Sequence, residues 1–172
     1  METAEQHGGT IMKQIFESDH IRYVTVSEEL IDDYLLMVND WENVNKYLGR
    51  HDKTYTAEQE VKWVRMKLEA KDPVFSMIGK DTGDFIGNIE LMDVTDSSGE
   101  LGIAITAGKQ NRDYGTEAVS AMTEYGKNVL GLTRIYLKAD PENARAIRVY
   151  EKCGFRIYDR TDEDVYMEYS GK

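Results

Sequence analysis

Residues Lys109 to Ala118, KQNRDYGTEA, form a polar turn with a single glycine between an apolar segment, GELGIAI, and a stretch of helical spacing. A helix entered at Asp113 to Thr116 leaves its first backbone NH groups unpaired and carries about half a positive charge at that end. Such a turn can receive an anion as large as a pyrophosphate. Gln110, Asn111, Arg112, Asp113, Tyr114, Gly115 and Thr116 are therefore the first candidates for cofactor contacts. Most glycine-containing turns before helices are only turns, so this segment needs a companion.

The companion begins 28 residues after Gly115 and reads NARAIRVYEKCGF, Asn143 to Phe155. Asn143 suits a helix N-cap and Gly154 a C-terminal stop, which bounds a short helix at both ends. With these two segments the chain resembles the GNAT N-acetyltransferase superfamily, whose turn reads Q/R-x-x-G-x-G/A and whose later helix reads N-x-x-A-x-x-x-Y-x-x-x-G-F. Gln110, Gly115, Asn143, Ala146, Tyr150, Gly154 and Phe155 match, while Asp113 stands where the first motif glycine would be. The segments IGNIEL, ELGIAI and YGTEAV further resemble the branch holding ribosomal-protein N-terminal acetyltransferases and spermidine acetyltransferases. The likeness is strong from about Phe75 onward and thin before it.

The resemblance implies an acetyl-CoA-dependent N-acetyltransferase, in which a neutral amine attacks the thioester directly within a ternary complex. It implies a mixed α/β (α+β) fold with a largely antiparallel central sheet flanked by helices. Two central strands would splay apart and hold acetyl-CoA between them. Strand Leu101 to Ile105 would line that gap, adding Ile103 and Ile105 to the cofactor set with Asn143, Ala146 and Tyr150. Leu101, Ile103 and Ile105 alternate along the strand and should share a face turned to the core. Asn143 would bond a pantetheine amide, a role only partly compatible with capping its own helix.

Tyr150 matches the tyrosine that protonates the departing thiolate in many members, and it is the strongest catalytic candidate. A phenol of pKa about 10 can hydrogen-bond a thiolate whose acid has pKa about 8.5. The attacking amine must first lose a proton, and Glu100 and Glu90 are the candidate bases. Each could instead bind the cationic amine or be an outward-facing strand residue.

Asp113 would repel a pyrophosphate if its side chain faced one. Aspartate tolerates the left-handed backbone region, so it can keep a glycine-like turn with its carboxylate in water. Lys109 and Arg112 either add positive charge there or pair with surface acids. The alternative to an enzyme is a noncatalytic CoA-binding or regulatory protein on the same fold.

Around these segments, Ile21–Val26 reads as a strand and Glu29–Leu48 as a helix. Thr56 and Gln59 form a capping-box pattern before a helix over Glu60–Ala70, whose Val61, Val64, Met66 and Leu68 mark it as amphipathic and whose Trp63 and Met66 are assigned to the core. Strands over 74–80, 85–94 and 100–106, joined by short turns, form an antiparallel meander. A helix over 116–130, a strand over 134–139, a helix over 144–153 and strands over 155–160 and 165–170 complete the series. The acceptor side would be lined by Asn39 to Tyr55. There Trp41, Tyr47 and Tyr55, with Asp40 and Glu42, either pack between helices or receive an amine.

The chain has 172 residues, of which 41% are hydrophobic, enough for one domain over 12–172 after a loose tail over 1–11. Its 21 basic and 32 acidic residues give a net charge of −11, which excludes a polyanionic partner such as nucleic acid and favours cationic ones. No apolar run is long enough to span a membrane, so no membrane partner and a cytoplasmic location are expected. Cys153, the single cysteine, reads as a small buried hydrophobe. His7, His20 and His51 lack metal-site spacing, so no metal is expected. Partners reduce to an amine, either a small molecule or a protein N-terminus, and a second copy if the monomer is not the working form.

Overall fold

The computed structural model describes residues 11–49 and 53–171. The tail expected over 1–11 lies outside them except for Ile11, as do His7 and His51.

Eight strands form one sheet: β1 (Gln14–Glu17), β2 (Ile21–Thr25), β3 (Val74–Gly79), β4 (Phe85–Met92), β5 (Ser98–Ile105), β6 (Arg134–Ala139), β7 (Phe155–Arg160) and β8 (Val165–Tyr169). Their spatial order is β1-β2-β3-β4-β5-β6-β8-β7, with every pair antiparallel except β5 and β6. Helices α1 (Ile31–Val38) and α2 (Ala57–Ala70) follow β2, α3 (Tyr114–Asn128) follows β5, and α4 (Ala144–Lys152) follows β6. The mixed, mostly antiparallel architecture expected from the sequence is the one observed.

Side-chain alternation splits the core between the two faces. Ile89, Leu91 and Leu101 turn to the face that also buries Ala118, Val119 and Met122 of α3 and Tyr150 of α4, with Ile103 and Ile105 packed against it. The opposite face buries Tyr34 and Met37 of α1 and Val64 of α2, and Ala104 packs there. The sheet is thus covered by α3 and α4 on one side and by α1 and α2 on the other.

The helix expected over Glu29–Leu48 is shorter than its apolar spacing suggests. A 3₁₀ turn at Glu28–Leu30 leads into α1, which ends at Val38. The side chains that follow compete with the helical backbone. Asn39 pairs with both backbone groups of Tyr55 at 2.8 and 2.9 Å, Asp40 accepts from Asn43, and Asn45 donates to the carbonyls of Val38 and Lys53. The result folds 39–48 into turns facing the sheet.

The capping box at Thr56 and Gln59 forms as its sequence pattern requires. Met66, however, is 55% exposed rather than in the core, because two residues past buried Val64 is about 200° around the helix. Strand β1 escaped the sequence reading because a four-residue edge strand with two polar ends has no alternation to detect. Phe16 holds it in place by stacking on Tyr23 at 4.2 Å and on Tyr125 at 4.7 Å.

Candidate active site

Strands β5 and β6 pair only over Ser98–Glu100 with Arg134–Tyr136. Beyond that point β5 remains hydrogen-bonded to β4 as far as Ile105, and β6 to β8 as far as Ala139. The facing edges of Leu101–Ile105 and Leu137–Ala139 therefore diverge into a fork. A cleft of about 690 Å³ occupies it, lined by Leu101–Ile105, by Lys138–Asp140 and by residues of all four helical regions. The splaying of central strands that the resemblance implied is present.

One glycine sets how closely β5 lies against β4. A Cβ at Gly87 of β4 would lie 2.0 Å from the carbonyl oxygen of Ala104, so only glycine lets β5 run this close at the far end of its open edge. At the cleft's other wall, α3 begins after Asp113, whose backbone is left-handed at φ 64°, and Asn111 is left-handed at φ 58°. Asp113 caps nothing and its side chain is exposed, so the turn keeps a glycine-like geometry. The first-turn NH groups of Tyr114, Gly115 and Thr116 have no acceptor within the helix. Gly115 and Thr116 line the cleft, and a Cβ on Gly115 would already touch Ile105 and Val149. This is a fitting cradle for an anion, with the backbone approachable where a side chain would intrude.

Gln110 is placed differently from a simple ligand contact. Its amide donates to the carbonyls of Ile105 at 2.9 Å and Asn43 at 3.2 Å and accepts from Arg145 at 2.5 Å. It ties the end of β5 to the 39–48 turns on one side and to α4 on the other. Lys109 pairs with Asp84 at 2.9 Å, whereas Arg112 has no ion-pair partner among the described residues. Asn143 caps α4 by accepting from the Ala146 NH at 3.3 Å, which leaves its NH₂ toward the cleft it lines. Capping uses the oxygen and a ligand carbonyl would use the nitrogen, so the two roles are compatible.

Tyr150 is 6% exposed, lines the cleft, and its hydroxyl has no hydrogen-bond partner among the described residues. Burial, with a contribution from nearby Cys153, pushes the phenol up to about 12. It therefore keeps its proton through neutral pH. Cys153 itself is buried between Ser120 and the Thr116 carbonyl, a packing role.

The two carboxylates stand on the α1/α2 face of the sheet, Glu90 opposite Gly102 and Glu100 opposite Met92. Glu90 is held by Lys67 at 3.1 Å. Glu100, at the point where the fork opens, has no ion pair among the described residues. Burial raises its carboxyl above the ordinary value, Lys138 opposes this, and Asp93, Asp164 and Glu90 add to it. The two candidates thus differ: one is paired with a lysine, the other has no cation in ion-pair contact among the described residues.

Of the acceptor-side aromatics, Tyr47 and Tyr55 line the cleft, while Trp41 is 46% exposed and does not. Sequence reasoning missed the basic rim formed by Arg145, Arg148 and Lys152. Their spacing of three and then four along α4 is the signal that would have found them. It also missed Glu60 and Asn88. Among the described residues no group of three or more His, Cys, Asp or Glu side chains could hold a metal ion, and no helix is long and apolar enough to cross a membrane.

Comparison with known proteins agrees with this geometry. The family model described as an acetyltransferase (GNAT) domain matches residues 20–156. An N-acetyltransferase of Bacillus licheniformis is 29% identical over 62% of this chain and 69% of its own length. The spermidine N(1)-acetyltransferase of Escherichia coli K12 is 34% identical, over 44% of this chain and only 41% of its own. A Vibrio cholerae spermidine N-acetyltransferase, solved in complex with CoA and spermine, superposes with a TM-score of 0.77 at 17% identity, covering 88% of this chain and 95% of that one. With its forked sheet, its helix-terminal cradle and a family match over most of its length, the chain belongs to the GNAT family of N-acetyltransferases.

Proposed function

We propose that the protein transfers the acetyl group of acetyl-CoA to a primary amine, by direct attack within a ternary complex. The observation that carries this reading is the fork between β5 and β6, with the open NH groups of α3 on one wall and the unpartnered Tyr150 hydroxyl lining the same cleft. Bound acetyl-CoA supplies the activated thioester. The first turn of α3, from Tyr114 to Thr116, receives its pyrophosphate, with Arg145, Arg148 and Lys152 adding charge at the rim and Arg112 in the preceding turn. The open edge of Leu101–Ile105 pairs with the pantetheine amides, and the Asn143 NH₂ takes a carbonyl of the same arm.

Glu100 accepts the proton of the attacking amine, either directly or through water, because its raised carboxyl is closer in affinity to the amine than an exposed one would be. Tyr150 donates its proton toward the departing sulfur. Glu90, neutralised by Lys67, shapes the acceptor side rather than moving protons. The acceptor is a polyamine, another small amine or a protein N-terminus, and the enzyme works in the cytoplasm as a monomer or homodimer. Calorimetry with CoA, followed by mass detection of acetylated product over peptides, polyamines and aminoglycosides, tests the reading. CoA binding with one acetylated class is the expected result. CoA binding without product would favour a noncatalytic CoA-binding protein, and absence of CoA binding would overturn the assignment.

A further inference from the structure

Glu60 lies on α2, four residues before Val64, and these two are the buried residues of that helix. Glu60 is 7% exposed and lines the cleft. Its carboxyl has no hydrogen bond and no ion pair among the described residues, in contrast to Glu90, which has Lys67. Its oxygens still reach the solvent of the cleft, and a carboxylate this far withdrawn with no cation beside it is costly to hold. The first turn of α2 favours a negative charge, but a favourable charge there does not need to be buried in the cleft.

The position of Glu60 within the cleft follows from its neighbours. Its charge acts on the Tyr34 hydroxyl. Tyr34 bonds Ser76 at 2.6 Å, and Ser76 donates to the Asn88 oxygen at 2.8 Å. Asn88 stands opposite Ala104, four residues beyond Glu100 along β5. Four residues of strand span about 13 Å, so the two unpaired acids sit toward opposite ends of the α1/α2 side of the cleft. Trp63, one turn from Glu60 on the same helix face, adds an aromatic wall between helix and sheet.

We propose that Glu60 binds a second, protonated amino group of the acceptor, so that the preferred substrate is a di- or polyamine. The reacting amine then lies at the Glu100 end, the alkyl chain runs along the cleft, and the distal ammonium meets Glu60 with the Trp63 ring beside it. A monoamine of equal length would leave the acid unpaired, and the gain on binding would be lost. This subsite rests on the acetyl-transfer reading for its catalytic meaning but not for its binding.

The test compares diaminoheptane and diaminononane with heptylamine and nonylamine on wild type and Glu60→Gln. Binding is followed by calorimetry and thermal shift, and turnover by kcat/KM with acetyl-CoA. Wild type should prefer a diamine over its matched monoamine by at least about tenfold in both readouts, a range typical of one charge-assisted pair. In Glu60→Gln the ratio should fall to within about threefold of one, and the free variant should melt no lower than wild type because a buried unpaired acid has been removed. A ratio unchanged in Glu60→Gln, or no diamine preference in wild type, overturns the subsite even if amines are acetylated. Loss of diamine binding in Glu60→Gln with no amine acetylated by either protein would keep the subsite and overturn acetyl transfer. If Glu60→Gln fails to fold, Glu60→Asp reads the same ratio, which should drop at least about threefold as the carboxylate retreats by one methylene; an unchanged ratio there also overturns the proposal.

Discussion

Two carboxylates of one sheet face, Glu90 and Glu100, differ in what surrounds them. Glu90 faces Lys67, which keeps its own charge because Glu90 and Asp72 outweigh the effect of its burial. Glu100 faces no such cation and is raised mainly by burial. A base with a raised carboxyl is active only when deprotonated, so kcat should climb with pH along a limb centred above the ordinary value of 4.5. Glu100→Gln should remove that limb and lower kcat by about 10²-fold, as measured by pH profiles with saturating substrates. No basic limb from Tyr150 is expected in the neutral range, since its phenol is pushed up to about 12. At this scale the sequence named both acids but could not rank them, because Lys67 lies 23 residues from Glu90 and meets it only across the folded sheet.

The cradle was legible from local signals, a turn with one glycine after the apolar alternation of ELGIAI and a capped helix ending at Gly154, whereas the fork was expected only because the family resemblance implied it. Gly154 is left-handed at φ 94°, and a Cβ there would lie 2.9 Å from the carbonyl oxygen of Gly171, so the stop read from sequence is enforced twice. The acceptor side was not legible. Asn39 and Asn45 spend their side chains on backbone groups seven to sixteen residues away, Asp40 holds Asn43 within the same turn, and those pairings end α1 early. A window of helical spacing contains no trace of them. Glu60 was hidden likewise, since an acid in the first turn of a helix is ordinarily a favourable surface charge.

The same scale yields a stability prediction. Because the Ala104 oxygen would lie 2.0 Å from a Cβ at position 87, Gly87→Ala must push β5 away from β4. It should cost about 3 kcal/mol, the upper end for overpacking, in chemical denaturation. CoA affinity should fall with it, because the displaced strand carries the open edge. Gly108→Ala, at a backbone that is not left-handed and with nothing within 4 Å of the added carbon, separates this clash from the general effect of replacing glycine by alanine.

Across the whole molecule, the far edge of the sheet is tied to α3 by one polar cluster. Glu117, in the first turn of α3, accepts from Ser18 at 2.5 Å, from the His20 backbone at 2.7 Å and bonds the His20 ring at 2.9 Å. Burial alone would raise the Glu117 carboxyl, but these bonds carry it below its ordinary value of 4.5. The same carboxylate raises His20 above 6.5. The Glu117 contribution is complete above pH 4.5 and is lost as pH falls through the lower folded value. The His20 contribution is complete below pH 6.5 and is lost as pH rises through the higher folded value. The cluster therefore stabilises most between these two values. Glu117→Gln should cost about 1 kcal/mol there, roughly 3 °C in Tm, and flatten the pH dependence of melting on both sides.

At that same scale, the net charge of −11 and the acids within the cleft suit a cationic acceptor, while the cradle and basic rim suit an anionic donor. Opposite charges on the two walls of one fork are what a transfer from a phosphorylated thioester to an amine requires. The most direct test of that transfer is steady-state thiol release from acetyl-CoA in the presence of a free amine that the protein acetylates, by wild type and Tyr150→Phe. The account predicts that Tyr150→Phe binds CoA about as tightly as wild type while kcat drops by about 10²-fold. Equal kcat in the two proteins would contradict the role of Tyr150 as the proton donor to the departing thiolate, and with it the reading of this cleft as the seat of acetyl transfer.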